Sequence, residues 1–187
     1  MLVIDAGAST NEQNCEYTCP AVRGLGDFYY ICHWIKSDSM GKLKIGNAWW
    51  TAPAEADDGR CVIVTSRRGM DAVIATRAYN DRIEVTWKYD SGSDGMPGYE
   101  TSVLMEQAHE ALLAEFNRDP VAVMTGVYTG AGERNWVFYT RSVPIFGRKL
   151  NEILAPLPLL PITIYAERDP EWLEYREMSL TEIPDED

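Results

Sequence analysis

Between Arg82 and Tyr89, apolar and polar residues alternate without a break. Ile83, Val85, Trp87 and Tyr89 fall on one side, and Arg82, Glu84, Thr86 and Lys88 on the other. A period of two matches the pleat of an extended chain, so this is a half-buried β-strand that needs a sheet to belong to. The turn residues from Ser91 to Gly98 end it. The period then changes. Leu104, Met105, Ala108, Ala111, Leu112 and Phe116 recur at helical spacing and form the apolar stripe of a helix over Tyr99 to Asn117. Glu106 and Glu110 lie opposite the stripe, and Glu100 suits the positive end of the helix dipole. Glu115 falls beside the stripe, with only its nearness to the helix end to account for it.

Two strands follow, Val121 to Thr129 and Arg134 to Arg141, joined compactly through Gly130-Ala131-Gly132. Val121, Val123, Thr125 and Val127 share a face of the first. In the second, Val137 and Tyr139 oppose Trp136 and Phe138. Aromatics on both faces imply a central strand, or one whose outer face is covered. Ser142 caps a second helix with Pro144 in its first turn. Its stripe is Phe146, Leu150, Ile153 and Leu154, with Arg148, Lys149 and Glu152 pointing away, and Pro156, Pro158 and Pro161 end it. Leu160 to Ala166 is the last strand. A short helix over Asp169 to Tyr175 follows, capped by Asp169 with Pro170 at its first position.

From Arg82 onward the order is βαββαβ. That is the order of the ferredoxin-like split βαβ unit, an antiparallel sheet with two helices on one face of an α+β domain. Upstream, Trp49-Trp50-Thr51 and Cys61 to Thr65 flank a polar turn at Glu55 to Gly59. This N-terminal β-hairpin extension either lengthens the sheet or covers its open face. Residues 70 to 80 fit a strand or a short helix. The expected organisation is an N-terminal extension over 1–45, one α+β domain over 46–178, and an acidic tail over 179–187.

A net charge of −12, from 29 acidic and 17 basic residues, repels phosphate backbones and anionic membrane surfaces. It argues against nucleic-acid and membrane partners and for a basic protein partner; oligomeric state stays open. The opening Met1-Leu2-Val3-Ile4 meets Asp5 at once, too short an apolar run for a signal peptide, so the expected compartment is the cytoplasm. Cys15, Cys19, Cys32 and His33 have a faint zinc-like spacing. Adjacent Cys32 and His33 rarely converge on one tetrahedral centre, and there is no second close pair, so neither a metal nor any cofactor is expected. No nucleophile elbow, Walker sequence or zinc-protease helix is present. Gly24-Leu25-Gly26 starts a dinucleotide fingerprint, but Tyr29 stands where its third glycine belongs. His109 sits on the border of the helix stripe, as a boundary histidine does.

Three segments together carry a family resemblance. They are Gly95-Met96-Pro97 with Glu100; Gly126-Val127-Tyr128-Thr129 leading through Gly132-Glu133-Arg134 to Trp136-Val137-Phe138-Tyr139; and Asp169-Pro170-Glu171-Trp172-Leu173-Glu174-Tyr175. In order and spacing they resemble the bacterial family catalogued as domain of unknown function 695, over about residues 47 to 178. The closing segment is the most specific part. The resemblance implies an α+β fold similar to that of regulator B of ribonuclease E activity, and it implies no catalytic residue.

The functional expectation is a non-enzymatic interaction or regulatory module, its candidate surface formed by Trp136, Phe138, Asp169, Trp172 and Tyr175. The alternative is a small carboxylate-based hydrolase or a ligand-binding enzyme. For Trp172 and Tyr175 two readings compete: packing back onto the domain, or an exposed anchor ringed by acidic residues.

Overall fold

The computed structural model describes residues 45–56 and 58–182, all within the unit Met40–Asp187. Cys15, Cys19, Cys32, His33 and the Gly24–Gly26 pair lie outside them. The elements in chain order are β1 (Trp49–Glu55), β2 (Cys61–Arg67), α1 (Asp71–Ala75), β3 (Asp81–Lys88), α2 (Tyr99–Arg118), β4 (Ala122–Gly130), β5 (Glu133–Thr140), α3 (Val143–Leu154), β6 (Ile162–Arg168) and α4 (Leu173–Ser179). The six strands form one antiparallel sheet in the order β1-β2-β4-β5-β3-β6. The domain is therefore α+β, and the β1–β2 hairpin lengthens the sheet by pairing β2 with β4. The stretch after β2 contains the short helix α1.

Alternation along β5 assigns the two faces. Trp136 and Phe138 join a core with Ile83, Val85 and Trp87 of β3, Met105, Ala108, Leu112 and Phe116 of α2, and Phe146 and Leu150 of α3. Phe116 and Phe146 stack at 5.2 Å, and Phe138 meets both edge-on at 5.3 and 5.1 Å. Each large apolar side chain buried along α2 contributes about 1.5–3 kcal/mol, more than its propensity does. Glu115 gains a reason here: it pairs with Lys149 of α3 at 3.5 Å and with Arg118 at 2.7 Å. Val137 and Tyr139 join the second core, with Trp50, Ala52 and Val64 of the hairpin, Val73 of α1, and Trp172, Tyr175 and Met178 from the α4 region.

Three local expectations are corrected. Val121, Val123, Thr125 and Val127 do not share a face. The β4–β5 register slips between Met124 and Gly126, so a β-bulge inserts Thr125. Val123 then packs with the second core, while Met124 and Val127 pack with the first. An extra residue reverses the alternation beyond it. Ser142 occupies the N-cap of α3 with an extended backbone, but its side chain makes no capping bond. The last helix starts at Leu173 rather than directly after Asp169, for a reason given below.

Gly95 shows how the loop before α2 is seated. Its φ is +75°, and a Cβ there would lie 2.9 Å from the backbone nitrogen of Ala131. Only a glycine permits both that dihedral and that approach. The loop is then sewn to the β4–β5 turn by Gly132 N donating to the Gly95 carbonyl at 3.0 Å, and to the end of β3 by the Tyr89 hydroxyl donating to the same carbonyl at 3.1 Å.

Candidate functional site

The most connected polar cluster lies on the α4 face of the sheet, where β3, β4, β6 and α4 meet. Arg82 and Glu84 stand two apart on β3, and Arg82 pairs in register with Glu167 on β6. Arg82 Nε donates to Glu167 Oε1 at 2.8 Å, and Arg82 Nη1 donates to Glu84 Oε2 at 3.0 Å. Glu174, in the first turn of α4, brings Oε2 to within 3.6 Å of the same Nη1. Each carboxylate places its other oxygen on a hydroxyl. Thr86 donates to Glu84 Oε1 at 3.4 Å, Tyr165 to Glu167 Oε2 at 3.0 Å, and Tyr128 to Glu174 Oε1 at 2.8 Å. Three carboxylates around one guanidinium leave two uncompensated negative charges.

Burial pulls the Arg82 guanidinium down, but Glu167, Glu174 and Glu84 outweigh it, so it stays charged. The Arg82 hydrogen bond holds the Glu167 carboxyl below its usual range. Burial, then Glu174, pushes the Tyr128 hydroxyl well above its usual range. Tyr128 and Tyr165 therefore act at neutral pH as fixed donors, and the Glu167 carboxylate as a fixed anion.

The floor beside this cluster is the segment from Asp169 to Tyr175. The Tyr139 hydroxyl donates to Asp169 Oδ2 at 2.6 Å. Asp169 also accepts from the backbone of Leu173 at 3.0 Å and of Glu174 at 3.4 Å, so it does cap α4, but across an intervening turn. Trp172 explains the offset. Its backbone is left-handed, φ 57° and ψ 43°, which breaks the helix and swings the indole inward. There it stacks on Tyr139 at 3.9 Å, meets Tyr175 edge-on at 5.8 Å, and donates Nε1 to the Tyr79 carbonyl at 2.9 Å. Gly126 leaves the space into which Met178 of α4 settles, since a Cβ there would collide with the methionine side chain.

The five residues expected to form a surface are all interior: Trp136 is 1% exposed, Phe138 0%, Asp169 7%, Trp172 2% and Tyr175 9%. Asp169, Trp172 and Tyr175 come together on the α4 face, with Trp136 and Phe138 under α2 and α3 on the other. Large rings on a strand or after a final strand are recruited by cores, because their area is worth most when buried. The residues of the Arg82 cluster were missed because its members come from four elements. Arg82 itself lies on the polar side of an alternating strand, yet it is only 9% exposed. His109 is half-buried and accepts from Trp136 Nε1 at its Nδ1, 3.3 Å away.

The face around Arg82 opens toward β6, which is the end of the sheet among the described residues. Six of its seven residues are exposed, including Ile164 at 41% and Tyr165 at 56%, which project from opposite faces. Among the described residues, no group of three or more His, Cys, Asp and Glu side chains is placed to hold a metal ion, and no helix is long and apolar enough to cross a membrane.

The three segments that carried the resemblance converge on the β4–β5 hairpin: the Gly95 loop on its turn, and the Asp169–Tyr175 segment against Tyr139 and Tyr128. No curated protein and no solved structure matches the chain. A family model does match, over residues 47–179, and with it most of the chain and nearly all of the described domain. The chain belongs to the family of unknown function DUF695.

Proposed function

We propose that this chain is a non-enzymatic interaction module that takes an extended, basic segment of a partner protein along the edge of β6 that stands free among the described residues. The observation that carries the reading is the pairing of that exposed strand with the surplus negative charge of Glu84, Glu167 and Glu174 around Arg82. An unpaired strand edge offers backbone donors and acceptors, so an added strand gains a full ladder of hydrogen bonds. Ile164 and Tyr165 offer apolar contacts on the two faces, and the carboxylates select a basic side chain.

The direction of the carboxylate shifts supports this reading over a hydrolase. Glu167 and Glu115 are both held low by arginine, Arg82 and Arg118 respectively, whereas a general acid needs its pKa raised. The order β4-β5-β3-β6 supports reading residues 81–168 as a ferredoxin-like βαββαβ unit, with α2 and α3 on one face and the hairpin as an added flank. A cytoplasmic site of action fits a reader of basic segments and is part of the same proposal.

The test is capture of partners from the native cell by the full chain, with identification by mass spectrometry. A basic protein retained by the parent should be lost with Ile164→Pro, which blocks strand addition, and with Glu167→Lys, which inverts the charge. Retention by both variants, each still melting cooperatively, would overturn the proposal.

A further inference from the structure

Arg134 is out of place in a chain of net charge −12. It sits in the half-buried start of β5, on the α2 face, with its side chain only 13% exposed. Its one carboxylate contact among the described residues, Glu106 of α2, is long at 3.7 Å, and Glu106 is itself 57% exposed. Arg134 Nε is buried and has no hydrogen-bond partner among the described residues. The guanidinium lies over the Trp136 ring, 5.1 Å from its centroid. Buried cations are normally matched by close carboxylates, as Arg82 is on the other face; among the described residues this one has only the long contact to Glu106.

The neighbour of Arg134 is equally specific. His109, one turn along α2 from Glu106, accepts the Trp136 Nε1 proton at Nδ1. That bond sets the neutral tautomer, so the remaining hydrogen sits on Nε2 as a donor. Burial, and then Arg134 itself, hold the imidazole neutral; Glu106 and Glu110 oppose them more weakly. Trp136 thus braces both groups, one through its ring and the other through its N–H. Arg134 and Trp136 both belong to the segment that carries the family resemblance, and the interaction edge at β6 uses neither.

We propose that Arg134 and His109 form a binding site for a small oxyanion, a carboxylate or phosphate group held by the guanidinium edge and by His109 Nε2–H, the two groups that Trp136 braces. A planar fork of guanidinium donors matches two oxygens of such a group. Glu106 is the competitor that the ligand displaces, and its length and exposure make it easy to displace.

Titration of the full chain with succinate and with inorganic phosphate, against chloride at equal ionic strength, tests this through tryptophan fluorescence and melting temperature. Saturable binding is expected with at least one of the two at concentrations up to about 10 mM. Preference for succinate assigns a carboxylate ligand, and preference for phosphate a phosphoryl group. Arg134→Lys should weaken binding about tenfold, because a point charge replaces the fork. Glu106→Gln should tighten it several-fold, a response that a purely structural Glu106–Arg134 pair would not give. Because loss of Arg134 can harm folding, Glu106→Gln and His109→Gln are the deciding variants. No saturable binding of either anion, or affinities unchanged in both of those variants, would overturn the proposal.

Discussion

Replacing Trp172 by alanine probes the joint between α4 and the sheet. The indole is 2% exposed, stacked on Tyr139 with an interplanar angle of 5°, and set edge-on against Tyr175. Truncating a buried tryptophan costs about 3–5 kcal/mol through lost transfer energy and the cavity left behind. The Tyr79 carbonyl also loses its donor, which adds about 1 kcal/mol. The left-handed backbone at position 172 gives no relief, because alanine carries the same steric cost. The sum is about 4–6 kcal/mol. For a domain near 150 residues it corresponds to a fall of about 10–20 °C in melting temperature. Thermal unfolding followed by circular dichroism is the assay. Trp172→Phe, which keeps a stacked ring but loses the N–H, should fall between parent and alanine variant. A melting temperature for Trp172→Ala within about 2 °C of the parent would refute the reasoning. It would mean that α4 is dispensable to the core and that the indole does not close it.

Asp169→Ala removes the acceptor of the buried Tyr139 hydroxyl together with two capping bonds of α4, and should cost about 2–4 kcal/mol in denaturant unfolding. Gly95→Ala forces a side chain into a left-handed site against Ala131, and should lower the unfolding free energy by more than about 1 kcal/mol, read as a lower denaturation midpoint with no change in slope. His109 gives a pH signature. Burial, with Arg134 second, lowers its pKa below the ordinary 6.5, so the folded chain favours the neutral ring and the unfolded chain binds more protons. Its contribution is therefore complete above 6.5 and is lost as pH falls toward the folded pKa; His109→Gln should flatten that part of the stability profile. The Glu167 contribution, depressed by Arg82, should persist to lower pH and disappear only below the ordinary 4.5. Glu167→Gln should therefore match the parent in strong acid and differ from it at neutral pH.

Local periodicity carried a large share of the fold. The alternation in Arg82–Tyr89 and the stripe from Met105 to Phe116 depend on near neighbours alone, and the structure places both as read. The two faces of β5 are also as its alternation implies. The candidate site was hidden for the opposite reason. Arg82, Glu167 and Glu174 are up to 92 positions apart in the chain (174 − 82), and a charged residue on a polar face gives no sign of what it will meet.

The sequence by itself determined the element types of the domain outside residues 70–80, its hairpins and the family to which it belongs, because short-range sterics and the side-chain period act within a few residues. Tertiary structure decided the rest. The bulge at Thr125 reversed half of β4, since only pairing with β5 reveals an extra residue. Trp172 took a left-handed backbone because stacking on Tyr139 outweighs continuing a helix. The aromatic residues that looked like a surface became core, and the surface proposed in their place is a strand whose exposure depends on standing last in the sheet among the described residues. Strand order is a matter of non-local contacts, in which burial of area outweighs every local preference.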